Sequence, residues 1–416
     1  MAKEFLKGNA VVGQSGGPTA AINATLAGVI RGFFKYGQGN ILYGMRNGME
    51  GFLEERLVNL NERFAKESDI ELLEHTPAAA LGSCRKKLPA VEGNEDYYEK
   101  VFELFRKYDI RYFFYIGGND SMDTVAKLSA YSKKNDYEMR FVGVPKTIDN
   151  DLMGTDHTPG FGSAAKYVAV TMAEIIRDCA VYTKPAVTIV EIMGRDAGWL
   201  TASAAIGRVV NGVEPDLLYL PERNFSMEEF LADVQAKLAE KPNVVVAVSE
   251  GIHFADGRYV GEGQQSGVAD VFGHKYLAGT GKMLENTIKE KLGCKVRSIE
   301  LNLPQRCASH IASLHLLSKV DIEESVRVGK AAAKAATEGA SRVMMTTDRL
   351  STEPYASEVG MADVQDIANQ IKYVYDEYIN ERGNHVTDEC CRYLLPLIMG
   401  EIQPKYEGGL PVHIII

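Results

Sequence analysis

Three charged side chains follow a short apolar run in the stretch VGVPKTIDNDL, which covers residues 142–152. They are Lys146, Asp149 and Asp151. A carboxylate placed beside a hydroxyl group can accept its proton, and a lysine ammonium can bind a phosphate. A polar loop containing an Asx turn explains the same residues about as well. From these residues alone, both interpretations stay open.

Glycines and charged residues also follow four other apolar runs. The sequences are GQSGG, which ends at Gly17, GGND at 117–120, MGR at 193–195, and SEG around Glu250. Glycine lets a backbone N–H approach a phosphate closely, and the N-terminus of a following helix favours negative charge. Each sequence also has a plainer explanation: a tight turn, a helix cap at the GGND aspartate, or surface charge at the MGR arginine. Together they indicate an anionic ligand more strongly than any one of them does.

Buried strands must hold these charged ends in place. Apolar runs alternate along the chain with segments of helical periodicity. The pattern predicts strands at 9–13, 112–116, 141–144, 186–192, 217–220 and 244–248. Strands that are apolar throughout are typical of a parallel sheet covered by helices on both faces, so we predict an α/β fold. Ligands bind outside the carboxyl ends of such strands, which is where the charged residues lie.

Composition limits the classes of function. The chain has 416 residues, a net charge of -10 and a pI near 5.5, which predict two or three domains and argue against nucleic acid or an anionic membrane as the main partner. No apolar run approaches 18 residues, so we expect no membrane span. The N-terminal residues lack the apolar core of a signal peptide, and the six cysteines follow neither a metal-ligand nor a disulfide spacing. We therefore expect reduced thiols and a cytoplasmic location.

Seven motifs, in order, resemble those of the phosphofructokinase family. They are SGG at 15–17, LGSCR at 81–85, GGND at 117–120, TIDND at 147–151, MGR at 193–195, Glu250, and QR at 305–306. The resemblance implies two doubly wound, Rossmann-like parallel-sheet domains with the active site in the cleft between them. It implies a phosphoryl-donor domain made of residues 1–161 plus about 305–355. The fructose 6-phosphate domain would comprise residues 162–304 plus about 356–416.

The resemblance further implies transfer of a phosphoryl group to the 1-hydroxyl of fructose 6-phosphate. Asp149 looks like the base that accepts the hydroxyl proton, Asp151 like its support, and Arg85 like the cation aimed at the transferring phosphoryl group. Arg297 is implied as a contact to the 6-phosphate, across a subunit boundary. The full set of implied substrate ligands is Thr147, Asp149, Asp151, Met193, Gly194, Arg195, Glu250, Arg297 and Arg306.

Two residue positions distinguish family members that use ATP as the phosphoryl donor from those that use pyrophosphate. ATP-using members have glycine where this chain has Asp120 and Lys146, so the chain resembles the pyrophosphate-dependent branch. Asp120 would lie on the path of the ATP α-phosphate, and two unit charges about 4 Å apart repel by about 4 kcal/mol at an effective dielectric near 20. Lys146, with Gly16 and Gly17, is implied to bind the pyrophosphate. The resemblance therefore predicts a reversible, pyrophosphate-dependent 6-phosphofructokinase of glycolysis and gluconeogenesis.

The same resemblance implies Mg²⁺ as the cofactor and a homo-oligomer, either dimer or tetramer. Asn119 occupies the family's metal-binding aspartate position, and its amide oxygen can ligate Mg²⁺ without adding charge. Asp120 is the second candidate ligand for Mg²⁺. Two alternatives stay open: an ATP-dependent 6-phosphofructokinase, and a non-catalytic regulatory subunit of such an enzyme.

Overall fold

The computed structural model describes residues 5–134, 136–262, 279–302 and 316–416. Arg306, one of the predicted substrate ligands, lies outside these ranges. The strands are β1 Asn9–Gln14, β2 Leu42–Met45, β3 Leu57–Asn59, β4 Ile110–Gly117, β5 Arg140–Pro145, β6 Ala186–Ile192, β7 Leu217–Tyr219, β8 Asn243–Ser249, β9 Lys295–Glu300, β10 Val343–Thr352, β11 Tyr355–Asp363, β12 Tyr406–Glu407 and β13 Leu410–Pro411.

The helices alternate with these strands. They are α1 Ile22–Tyr36, α2 Gly48–Leu53, α3 Leu60–Arg63, α4 Glu67–Glu74, α5 Glu95–Lys107, α6 Asn119–Ser132, α7 Phe161–Ala180, α8 Trp199–Ala202, α9 Gly207–Asn211, α10 Met227–Glu240, α11 Thr280–Leu292, α12 Lys319–Thr337 and α13 Asp388–Leu394. In the described ranges no helix is long and apolar enough to cross a membrane.

The first sheet has seven strands in the order β11-β10-β5-β4-β1-β2-β3. Its pairs are parallel except β2–β3 and β10–β11, which are antiparallel. The sequence of strand β4 is continuously apolar because both of its faces are buried. On one face, Tyr112 and Phe114 pack into a core with Phe33 of α1. Phe113 packs into a second core, with Phe105 of α5, on the opposite face. Because each face has its own core, neither set of alternate residues is polar.

The second sheet has four parallel strands in the order β7-β8-β6-β9. Central strand β6 again serves two cores, with Val187 and Ile189 on one face and Val190 and Ile192 on the other. The predicted α/β fold of mostly parallel sheets is confirmed.

Helices α1 and α12 pack closely enough to require glycine. A Cβ added at Gly28 would lie 2.3 Å from the carbonyl oxygen of Val326, and one added at Gly329 would lie 2.1 Å from that of Thr25. This contact attaches the late helix α12 to the first sheet.

The C-terminal segment differs from the predicted domain division. Strand β11 pairs with β10 at the edge of the first sheet, although residues 356–416 were assigned to the second domain. Helix α13 does pack in the second domain, where Cys390 shares a core with Trp199. Near the end of the chain, Ile414 returns to the first domain's core. The segment therefore crosses between the two domains, which sequence periodicity does not reveal.

Candidate active site

The carboxyl ends of strands from both sheets surround a cleft of about 430 Å³. It contains most of the predicted site residues. Its lining is Ser15, Gly16, Gly17, Arg85, Lys86, Gly118, Asn119, Asp120, Ser121, Lys146, Thr147, Asp149, Asp151, Met193, Arg195, Asp196, Glu250, Asn369 and Ile371. Gly194 lies between two of these residues, and Glu250 Oε1 accepts a hydrogen bond from its N–H at 3.3 Å.

Lys146 is buried at the point where β5 ends, with 3% of its surface exposed. Its backbone N–H donates to Gly117 O at 3.0 Å, and its Nζ donates to Gly17 O at 2.7 Å. Gly16 has φ +79°, and a Cβ there would lie 3.1 Å from Lys146 Nζ. The ammonium therefore lies within the SGG loop, which is an arrangement suited to binding an anion. The N–H of Gly16 already donates to Cys84 O at 3.0 Å, so what Gly16 contributes there is space.

The TIDND loop is fixed from several sides. The N–H of Asp149 donates to Thr147 Oγ1 at 3.1 Å, and Thr158 Oγ1 donates to Thr147 O at 2.8 Å. Asn150 has φ +55° and is fully buried, and its Oδ1 accepts from Thr158 N at 3.1 Å. Together these bonds hold the backbone that carries the Asp149 carboxylate in the cleft. Thr147 acts on Asp149 through the backbone.

Three carboxyl groups of the cleft lining, those of Asp149, Asp151 and Glu250, interact with one another and form its carboxyl-rich side. Burial, followed by the negative charge of Asp149, raises the pKa of Asp151 to about 7. The same two causes raise the pKa of Glu250 to about 8. Buried carboxyls that repel one another are stabilised by protons, cations or hydroxyl donors. This side of the cleft is therefore suited to sugar hydroxyls or a metal cation.

Asn119 has the features of a hard-cation ligand. Its Nδ2 donates to Asp151 Oδ2 at 3.3 Å, which turns Oδ1 the other way. That buried Oδ1 has no hydrogen-bond partner within the described part of the chain. The described residues contain no cluster of three or more His, Cys, Asp or Glu arranged around a common metal position. An amide oxygen beside one carboxylate suits a cation that takes its other ligands from water and substrate phosphates, as Mg²⁺ usually does.

Asp120 has a partner that the sequence analysis did not identify. Lys87 Nζ lies 3.0 Å from its Oδ1, and both side chains are about half exposed. Lys86 lines the cleft directly. The RKK run after Cys84 therefore places two cations in the cleft lining and a third beside Asp120, and only Arg85 of the three was predicted. This run of three cations is visible in the amino-acid sequence itself.

Two predicted arginines are not part of the described cleft. Arg297 lies on β9, 3.6 Å from Asp178 of α7, and is not among the described residues that line the cavity. Its role as a contact from a neighbouring subunit stays a prediction, as does that of Arg306. Two lining residues carried no sequence signal, since Asn369 and Ile371 belong to the irregular segment after β11.

Residues 9–319 match the family model described as Phosphofructokinase. The chain belongs to the phosphofructokinase family. The seven-motif resemblance is confirmed, and the described motifs lie around one cleft.

Individual relatives agree over nearly the whole chain. A pyrophosphate--fructose 6-phosphate 1-phosphotransferase of Methylococcus capsulatus is 42% identical over 412 residues, covering 98% of this chain and 96% of the relative. The Halomonas elongata protein of the same name is 41% identical over 411 residues, covering 97% and 94%. The crystal structure of a pyrophosphate-dependent phosphofructokinase from Nitrosospira multiformis matches with a TM-score of 0.87 at 38% identity, covering 98% of this chain and 96% of that one.

Proposed function

We propose that this chain catalyses reversible phosphoryl transfer from pyrophosphate to the 1-hydroxyl of fructose 6-phosphate. The observation that carries the proposal is the Lys146 ammonium, buried 2.7 Å from Gly17 O in the SGG loop, where family members that use ATP have glycine. The names of the most similar relatives support the same donor and acceptor.

Asp149 is proposed as the general base. Its carboxylate accepts the proton of the 1-hydroxyl while the hydroxyl oxygen bonds to the nearer phosphorus of pyrophosphate. The bond between that phosphorus and the bridging oxygen breaks, and inorganic phosphate leaves with the bridging oxygen. Lys146 neutralises the charge that collects on this leaving group, and Arg85 neutralises the transferring group. The reverse reaction uses the same groups, with Asp149 returning the proton.

The sugar phosphate is proposed to bind on the carboxyl-rich side. Arg195 would grip its phosphate through two parallel hydrogen bonds, and Glu250 would accept from sugar hydroxyls. Met193, Gly194 and Thr147 would form the surface beneath it.

We propose Mg²⁺ as the cofactor, with Asn119 Oδ1 as its first ligand from the protein and with water and phosphate oxygens as others. Mg²⁺ would neutralise charge on the bound pyrophosphate. The unpaired Asn119 oxygen supports the first ligand. The ion pair of Asp120 with Lys87 argues against Asp120 as the second, because its charge is already engaged.

We also propose a homo-oligomer and a cytoplasmic location. Arg297 is accessible to a neighbouring subunit, because 41% of its side chain is exposed and it is not among the described residues that line the cleft. The five described cysteines are all unpaired thiols, in keeping with a reducing compartment.

A side-by-side donor assay tests the proposed function. Purified full-length protein is given Mg²⁺, fructose 6-phosphate and either pyrophosphate or ATP, and formation of fructose 1,6-bisphosphate is measured. We expect turnover with pyrophosphate, the reverse reaction with inorganic phosphate, and none in Asp149→Asn. Faster turnover with ATP would refute the donor assignment. Activity only after addition of a partner subunit would identify the non-catalytic alternative.

A further inference from the structure

Lys372 is a buried lysine directly behind the TIDND loop. It follows β11 in an irregular segment, and only 6% of its surface is exposed. Its Nζ donates to the carbonyl oxygens of Thr155 at 3.1 Å and Asp156 at 2.6 Å, and to Asn150 Oδ1 at 3.3 Å. One ammonium therefore connects the loop that carries Asp149 to the start of the segment between the two domains.

The backbone of Lys372 makes two further connections. Its N–H donates to Asp151 O at 2.8 Å. Its carbonyl accepts from Trp199 Nε1 at 2.9 Å, and its Nζ lies 5.4 Å from the centre of the Trp199 ring. Trp199 is fully buried in the core of the second domain. Asn150 and Asp151 are thus tied, through Lys372, to the core that contains Trp199.

Stability alone is a weak explanation for this ammonium. Its three hydrogen-bond acceptors are neutral, and a buried charge costs free energy that neutral dipoles repay only in part. The Asp156 carboxylate mainly serves other groups, since it accepts from His157 Nδ1 at 2.8 Å and lies 3.1 Å from Arg349. An apolar side chain of similar length would fill the same volume at lower cost. Unlike such a side chain, the ammonium donates a hydrogen bond to the side chain of Asn150, whose backbone has a φ of +55°.

We propose that Lys372 is a positioning residue for phosphoryl transfer, acting through Asn150 and Asp151 to hold the Asp149 carboxylate at the attacking hydroxyl. The inference rests on the proposed function, in which Asp149 is the base. A displacement of about 1 Å at a reacting group, caused by a distant change, can cost about 100-fold in rate. Lys372 is not among the described residues that line the cleft, so we expect its loss to act on the chemical step more than on binding.

The experiment compares two buried lysines. Lys372→Met removes the proposed positioning ammonium. Lys166→Met removes a comparably buried one outside the cleft, since Lys166 of α7 is 7% exposed and donates to the carbonyl oxygens of Leu317 at 3.2 Å and Gly400 at 2.7 Å. Lys166 also pairs with the Glu401 carboxylate at 2.7 Å, so its loss should cost at least as much stability as the loss of Lys372. Both are assayed as full-length proteins, well below their melting temperatures. We expect kcat of Lys372→Met to fall 10- to 100-fold while KM for pyrophosphate and for fructose 6-phosphate changes less than threefold. Lys166→Met should keep kcat within twofold of the wild type.

The outcomes separate this inference from the proposed function. If the wild type itself fails to use pyrophosphate and fructose 6-phosphate, the proposed function fails first. If the wild type is active and Lys372→Met retains its kcat, or loses no more than Lys166→Met does, the positioning role is refuted alone. Should Lys372→Met not fold, Lys372→Gln gives the same decision, because it keeps a polar side chain at this position and removes the charged ammonium donor. We expect a smaller fall in kcat, of about 3- to 10-fold, and an unchanged kcat would refute the role.

Discussion

Replacing Asp120 with asparagine tests whether the charge at this position excludes ATP. The substitution removes the charge and nearly preserves the size. An isolated carboxylate 4 Å from a phosphate charge would repel it by about 4 kcal/mol at an effective dielectric near 20, which corresponds to roughly 1000-fold in affinity. The structure predicts a smaller repulsion than this. Lys87 Nζ lies 3.0 Å from Asp120 Oδ1, and the two side chains are 47% and 59% exposed, so the counter-charge and solvent both screen the repulsion. A residual of about 1–2 kcal/mol gives a 5- to 30-fold effect.

The assay measures kcat/KM for pyrophosphate and for ATP in the same preparations. We expect Asp120→Asn to raise the value for ATP by about 5- to 30-fold relative to that for pyrophosphate. Lys87→Met should move the ATP value the other way, because it leaves the Asp120 charge uncompensated. If ATP turnover is too slow to measure, the inhibition constant of ATP against pyrophosphate replaces it. Asp123→Asn is the control, since Asp123 lies on the same helix and pairs with Lys127 at 2.6 Å, outside the cleft lining.

The decisive result is that the two substitutions change kcat/KM for ATP, relative to that for pyrophosphate, in opposite directions. If Asp120→Asn leaves the ratio of donors unchanged, charge at this position does not exclude ATP. If Lys87→Met and Asp120→Asn both favour ATP, the pair acts as a steric barrier, and the electrostatic reasoning is wrong. A 1000-fold change in Asp120→Asn alone would show that Lys87 does not screen the carboxylate.

Three further predictions concern the donor subsite and stability. Lys146→Met should lower kcat/KM for pyrophosphate by about 100- to 1000-fold, the usual effect of removing one preorganised transition-state donor, with a circular dichroism melt as the check on folding. Gly16→Ala should raise KM for pyrophosphate roughly tenfold and leave that for fructose 6-phosphate unchanged, because alanine is strained at φ +79° and its Cβ crowds the Lys146 ammonium. Burial opposes the charge on His157, but hydrogen bonds to Asp156 and Glu324 outweigh it and raise the pKa of His157 to about 9. Its stabilisation should be complete below about pH 6.5 and decline as the pH rises towards 9, by on the order of 3 kcal/mol, and urea unfolding should show this decline in the wild type and a flatter profile in His157→Gln.

The sequence predicted the elements and the cleft because both depend on local features. A strand such as β4 is apolar on both faces, so its letters identify it without knowledge of the fold. Parallel strands place their carboxyl ends at one edge, so the charged residues that follow them converge without further information. Lys146 and Asp149 were predictable for this reason.

Contacts between distant parts of the chain were not predictable in this way. Lys372 meets Asn150 across 222 positions, and nothing in the letters around Lys372 distinguishes it from a surface lysine. The residues of strand β11 are all partly buried or exposed, and nothing in their sequence indicates which sheet the strand joins. Lys87 is an intermediate case: the RKK run was visible, but its pairing with Asp120 depends on how α6 approaches the loop.

Under the proposed function, the placement of charge in the cleft would let one site serve both directions of the reaction. Lys146 and Arg85 would bind the phosphates of the donor, and Asp149 and Glu250, which also line the cleft, would face the sugar. A phosphoryl group is drawn towards the cations, whereas a sugar hydroxyl is drawn towards the carboxylates. In the reverse direction inorganic phosphate takes the place of the leaving group, and the same carboxyl side receives the sugar. Because neither substrate of the proposed reaction carries a nucleoside, specificity would depend on charge placement over a short distance, and the Lys87–Asp120 pair would meet the additional phosphate of a nucleotide donor.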